Sequence, residues 1–325
     1  MSETTVTEAR ATAVRRGGFK DAQFRSLTWL ASVGVMAIFA GVIASLLIGA
    51  MPAIKAYGLP FVYTEAWNPV TEKFGALASV YGTLITSFIA MAIAVPIGIG
   101  TAIFLTEICP RSLRRPIGIA IELLAGIPSI IYGIWGMFVF APIFQSTLQP
   151  WLIELFADVP IMQNLLAGPP YGIGIFTASF ILSIMILPFI SAVTRDVFET
   201  VPATLKEAAY AMGCTTWEVM WRVVLPFART GVVGGAMLAL GRALGETMAV
   251  TFVIGNAHHL LPSLFAPGTT ISATIANEFT EAVGDLYRSS LIEMGLILFA
   301  ITFVVLASAQ LMLGALERRA GGIAS

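Results

Sequence analysis

Of the 325 residues, 57% are apolar and 11% charged, against about 25% charged in an ordinary soluble domain, which argues against a soluble enzyme. Lys and Arg number 18 and Asp and Glu 19, a net charge of −1, so no basic field exists to hold DNA or RNA. Uncharged windows at 26–54, 74–106, 123–153, 159–194, 247–277 and 294–316 each exceed the roughly 18 residues that mark a membrane-crossing helix, so the chain reads as an all-α membrane protein with six transmembrane helices.

Residues 1–26 are polar and too poor in apolar groups to offset the entropy of ordering them, and are expected to form a mobile cytoplasmic tail. The apolar stretch from Leu27 to Met51 outruns the ~7–15 residue core of a cleavable signal peptide and stays as a helix. Trimmed to hydrocarbon length, the spans fall near 27–51, 77–105, 122–144, 171–194, 230–255 and 291–316, within one domain over 27–316, and 317–325 is a cytoplasmic C-terminal tail. Six spans place both termini on one side. Assigning that side to the cytoplasm puts nearly every Lys and Arg inside and leaves only Lys55, Lys73 and Arg288 outside, as the positive-inside rule requires of a plasma (inner) membrane protein. Cys109 and Cys214 stand far apart without a CxxC partner and are read as reduced and structural.

Helix breakers interrupt several spans, at Pro96 with Gly98 and Gly100, at Gly126 with Pro128, and at Pro188. They act either as simple kinks or as irregular backbone beside a substrate path. The pairs Gly231/Gly235 and Gly241/Gly245 let another helix approach the fifth span closely.

The longest cytoplasmic loop runs over 195–229. From Thr204 to Val224 it lacks proline and is rich in Ala, Met, Leu and Glu, which predicts two short helices around Gly213. Such a hairpin either lies solvated at the interface or offers an apolar and charged knob to a soluble partner. Its string EAAYAMGCTTWEVMWRVVLP, 207–226, resembles the EAA loop of ABC importer permeases, matching at Glu207, Ala208, Ala209, Gly213, Val223, Leu225 and Pro226, with Val223 where Ile is commoner. The resemblance implies the type I ABC importer permease architecture and a coupling helix that docks in a groove of an ATPase subunit.

In the fifth span, Arg242 and Glu246 stand four residues apart, which on a continuous helix puts them on one face, ~6 Å apart along the axis. A lone Arg near the bilayer centre costs anywhere from ~3 to over 10 kcal/mol, so a partner is expected. The pair is either an ion pair that orders the bundle or a site where the guanidinium takes a tetrahedral oxyanion while Glu246 competes for the same donors. The surrounding GRALGETMAVTFVIGN, 241–256, resembles the fifth span of phosphate-specific ABC permeases of the PstC type, with AIELLAGIPSIIYGIWG, 120–136, and PGTTISATIANEFTEA, 267–282, in support. Leu-Gly-Glu also occurs in sulfate and molybdate permeases, but Arg242 with Thr247 favours phosphate. The resemblance implies that Arg242 and Glu246 serve phosphate passage. It implies as partners a second permease of the PstA type, an ATPase dimer of the PstB type and a periplasmic phosphate-binding protein of the PstS type. ATP and Mg belong to the partner ATPase, and this chain binds no cofactor or metal.

Glu122 and Glu293 lie at span edges and are expected to snorkel to the interface. His258 and His259 are too few ligands for a metal and belong to an external loop, and Trp29, Trp67, Trp135 and Trp151 suit an aromatic belt. No HExxH, GxSxG or GxxxxGK[ST] is present, so neither hydrolytic catalysis nor ATP hydrolysis by this chain is expected. A gradient-driven anion transporter with Glu246 as the titrating carboxylate is the rival, and it leaves the 207–226 pattern without a role.

Overall fold

The computed structural model describes residues 3–321. Among these, six helices are long and apolar enough to cross a membrane: Gln23–Tyr57, Leu77–Ile108, Ser129–Leu155, Ile175–Glu199, Thr216–Leu244 and Asp285–Gly314. Helices are the solution because lipid offers no partner to a free N–H or C=O. The first span belongs to one helix, Glu3–Tyr57, so the backbone expected as an N-terminal tail is helical from Glu3 onward. At the other end the last helix continues to Gly321, and residues 322–325 of the expected tail lie outside the described residues.

Two spans depart from the expected boundaries. Residues 122–144 are not one helix: Arg111–Ala125 is an amphipathic helix of its own, and the third span starts at Ser129. Pro128 explains the break, since a proline drives the residue before it out of the helical region. The fifth span begins well before residue 230, at Thr216, and its helix ends at Leu244. By contrast, Pro96 and Pro188 stay inside continuous helices.

The fourth span is the hub, with 67% of its apolar window buried against 6% in the first and sixth. Its Ile181, Leu182, Met185, Ile186 and Ile190 pack against Ala90 and Ala94 of the second span and Ala239 and Ala243 of the fifth. Small residues set these distances. A Cβ on Gly98 would lie 2.6 Å from Ile190, one on Gly231 2.6 Å from Val197, and one on Gly235 2.6 Å from Val193. The Gly231/Gly235 pair therefore seats the fifth span on the fourth, as small-residue faces do where no hydrophobic force separates protein from lipid. Gly241 instead meets Leu306 of the sixth span.

Beyond Leu244 the chain re-enters the bundle at the end opposite the 195–229 loop, through a short helix Met248–Thr251, a loop, and the helix Ile271–Glu278. This segment caps the fourth span: Gly174 N–H donates to Val253 O at 2.9 Å, Ile175 to Ala266 O at 3.2 Å and Phe176 to Leu264 O at 2.8 Å. Three of the orphan N–H groups of a helix start are satisfied this way, with no side-chain cap. The re-entrant stretch is also latched to the second span. Thr83 Oγ1 accepts from Ile271 N–H at 3.0 Å, and Thr274 Oγ1 lies 3.1 Å from Ser79 Oγ and 2.8 Å from Thr269 Oγ1.

Candidate functional site

The 195–229 loop forms a helix–turn–helix, with helices Ala203–Ala211 and Thr216–Val219, the second running through a wider π turn at Met220–Val224 into the fifth span. Gly213 makes the turn at φ +85°, a conformation that a side chain would strain. Cys214 N–H donates to Ala209 O, and Thr215 with Glu218 forms a reciprocal capping box that starts the second helix. Ala209 is buried among Phe198, Val219, Met220 and Val224, and Val223 and Leu225 pack against that cluster. Pro226 stands in the first turn of the helix that follows, where its missing N–H is no loss. Glu207 and Ala208 are exposed. An ion pair that sequence spacing did not suggest fixes the hairpin to the bundle: Lys206 Nζ donates to Glu107 Oε1 at 2.6 Å, with both side chains largely buried. Outward, the hairpin presents Met212, 85% exposed, and Trp217, 66% exposed.

Arg242 lies in the last turn of the fifth-span helix and is exposed, on a stripe with Leu238 and Gly245. From Arg229 at the charged end it is about 20 Å along the axis, near mid-membrane. Glu246 falls in the break that follows, not on a continuing helix as its spacing had implied. There its Oε1 accepts from Ala249 N–H at 3.2 Å, capping Met248–Thr251, and among the described residues it forms no ion pair with Arg242. The break arises because Gly245 ends the helix and the Glu246 carboxylate competes for the N–H groups ahead of it. Of the two readings of the spacing, the ion pair that orders the bundle is not formed. A guanidinium is left on an open face in the apolar zone, and such a face requires protein or water against it.

A second polar cluster, at the re-entrant end, ties three remote segments together. Glu278 Oε2 accepts from Trp67 Nε1 at 2.6 Å and from the Tyr287 hydroxyl at 2.7 Å, while Oε1 meets His258 Nε2 at 2.9 Å. The His258 ring stacks on Trp67 with centroids 5.3 Å apart. Burial pushes the Glu278 pKa up, but the hydrogen bonds with His258, Tyr287 and Trp67 outweigh it and hold the carboxyl below its ordinary range. Trp67 is therefore a network member, not a belt residue. Of the two glutamates expected at the interface, Glu122 is exposed and pairs with Arg195 at 2.7 Å, whereas Glu293 is 6% exposed with Oε2 unpartnered. Cys109 and Cys214 are free thiols, and no cluster of three His, Cys, Asp or Glu suited to a metal occurs among the described residues.

Residues 94–322 match the family described as binding-protein-dependent transport system inner membrane component. Phosphate transport system permease protein PstC of Mesorhizobium japonicum is 63% identical over 316 residues, 97% of each chain, and that of Pasteurella multocida is 58% identical over 298 residues, 92% of this chain and 93% of the relative. The chain belongs to this family of permeases, in its PstC branch. The fold agrees with solved type I ABC importers. A bacterial transporter involved in the import of alginate superposes with a TM-score of 0.61 at 18% identity, covering 91% of this chain and 98% of that one. The inward-facing MetNI methionine transporter gives 0.51 at 17% identity, covering 74% and 94%. The permease is thus a multi-pass transport subunit and not an enzyme.

Proposed function

We propose that the chain is one of two membrane subunits of an ATP-driven phosphate importer, working by alternating access. The observation that carries the phosphate reading is the 63% identity, spread over 97% of both chains, to a protein named for phosphate transport. The chain offers one exposed mid-membrane guanidinium, Arg242, whose planar donors suit a tetrahedral oxyanion, with Glu246 one turn of chain away to oppose tight binding. A second permease of the PstA type covers that face, since a charge there cannot be left against lipid. ATP and Mg bind a PstB-type ATPase dimer, which grips the 203–219 hairpin through Met212 and Trp217; Glu207, Ala208, Ala209, Gly213, Val223, Leu225 and Pro226 shape that hairpin. A PstS-type protein delivers phosphate at the re-entrant end, and both termini lie in the cytoplasm. Import requires that the two cavity states differ in affinity for the anion and the binding protein.

The test is ATP-dependent uptake of labelled phosphate into proteoliposomes holding this chain with its partner subunits, with sulfate and molybdate as competitors. The expected result is uptake that needs both ATP and binding protein and resists both competitors. Uptake without ATP overturns the coupling, and preferential sulfate or molybdate uptake overturns the cargo.

A further inference from the structure

The amphipathic helix Arg111–Ala125 contributes nothing to the site above, yet it carries the densest basic cluster of the described residues. Arg111, Arg114 and Arg115 recur at i, i+3 and i+4 and so share one face, the face that continues to Glu122. Opposite them stands the last turn of the fourth span, with Arg195 and Glu199. Between the two helices is a groove of about 310 Å³ lined by these residues. Gly118 eases the crossing: a Cβ there would stand 3.1 Å from Arg195 Nη1, so the bare backbone gives the guanidinium room to cross the helix and reach Glu122 at 2.7 Å.

The charges in the groove do not cancel. Arg195 is neutralised by Glu122 and by Asp196 at 2.9 Å. Among the described residues, no ion pair engages Arg111, Arg114 or Arg115. Arg114 is held in place by donating Nη2 to the Thr106 carbonyl, which the π turn at Phe104–Ile108 leaves free. Arg111 and Arg115 remain exposed beside it. The same helix exposes Leu113, Ile119, Leu123 and Leu124, an apolar surface adjoining the arginines. An interfacial helix with guanidinium donors over an apolar face is the arrangement that receives a phosphate group at a membrane surface.

We propose that this groove binds a phosphate group through Arg111, Arg114 and Arg115. The group comes either from the headgroup of an anionic phospholipid, its acyl chains lying along Ile119 and Leu123, or from inorganic phosphate. The exposed guanidinium forks of Arg111 and Arg115 pair with phosphate oxygens in parallel N–H···O bonds, and Arg114, fixed on Thr106, adds its charge beside them, without the burial that would oppose the anion's release. The groove does so whichever anion the permease carries, and its test therefore reads binding, not uptake.

The full transporter is purified with the double variant R111Q/R115Q, whose two side chains make no ion pair among the described residues, and with R115E as a second variant of opposite charge. Two probes are applied: phosphatidylglycerol against phosphatidylcholine, read by native mass spectrometry of the complex, and labelled inorganic phosphate in detergent, read by equilibrium dialysis. Phosphatidylglycerol retained over phosphatidylcholine by the parent and weakened roughly thirtyfold in R111Q/R115Q, about fivefold for each charge removed, identifies a lipid site, with R115E weakening it at least as much as one neutral change. A matching loss of inorganic phosphate with lipid retention unchanged identifies a free-anion site. Parent-like binding of both probes in both variants overturns the proposal and leaves these arginines the sole task of fixing orientation.

Discussion

Arg242 and Glu278 illustrate two fates of a charge in this protein. Arg242 is exposed and has no carboxylate partner among the described residues, so, on the proposed role, its substitution removes contacts to the transported anion without breaking an ion pair of the fold. Arg242→Gln is expected to lower uptake by roughly thirty- to a hundred-and-fiftyfold, the loss of about 2–3 kcal/mol of charge-assisted hydrogen bonding, while assembly and basal ATPase activity of the complex stay near parent values; normal uptake rates would remove Arg242 from the site. Glu278 is instead fully engaged, with Trp67, Tyr287 and His258 on its two oxygens. Because its folded pKa lies below the unfolded value, its contribution is complete above the ordinary carboxylate range and is lost as pH falls through the lowered folded value. Glu278→Gln should cost about 1–3 kcal/mol and flatten the acid limb of thermal stability, measured by unfolding in detergent across pH. An unchanged acid limb would show that the network does not stabilise the re-entrant end. Arg242 was legible in the sequence because a charge inside an apolar run is a local signal. Nothing local pointed to Glu278, whose partner Trp67 is 211 residues away.

At the level of elements, the re-entrant segment and the second span are packed so closely that one glycine decides their fit. A Cβ on Gly82 would lie 1.8 Å from the Thr269 carbonyl oxygen, a backbone atom with no rotamer to yield. Gly82→Ala should therefore destabilise the permease by about 1–3 kcal/mol and loosen the Thr83 and Thr274 contacts. Gly100→Ala, in the same helix with nothing within 4 Å, should be neutral or stabilise by up to about 1 kcal/mol. The measurement is the midpoint of thermal unfolding of the two variants side by side, and equal shifts would show that the close approach is not kept in the membrane. The breaks in the spans were read unevenly from sequence. Gly126 with Pro128 is a true break, whereas Pro96 and Pro188 are carried within continuous helices, since neighbouring helices and local backbone adjustment relieve a proline inside a membrane helix. The break at 245–247 falls inside the span read over 230–255, because Gly245 ends the helix through backbone geometry that hydropathy does not record.

At the scale of the whole molecule, the first and sixth spans are barely buried and the mid-membrane face around Leu238 and Arg242 is open. A face with a guanidinium in the apolar zone is costly against lipid, so the chain produced without a second permease should be recovered in lower yield and cleaved faster by protease than the co-produced pair. Equal yield and protection would show that the open face is satisfied by the chain alone. Composition and hydropathy by themselves determined that six helices cross the membrane, and the turn residues of 207–226 determined the hairpin around Gly213, because span length and turn chemistry are properties of consecutive residues. Tertiary structure alone decided that Lys206 meets Glu107, that Arg195 crosses Gly118 to Glu122, that Glu278 gathers Trp67, His258 and Tyr287, and that Arg242 has no ion pair among the described residues beside a broken helix. Those outcomes depend on which remote helices come within hydrogen-bonding distance, and packing in three dimensions sets that distance.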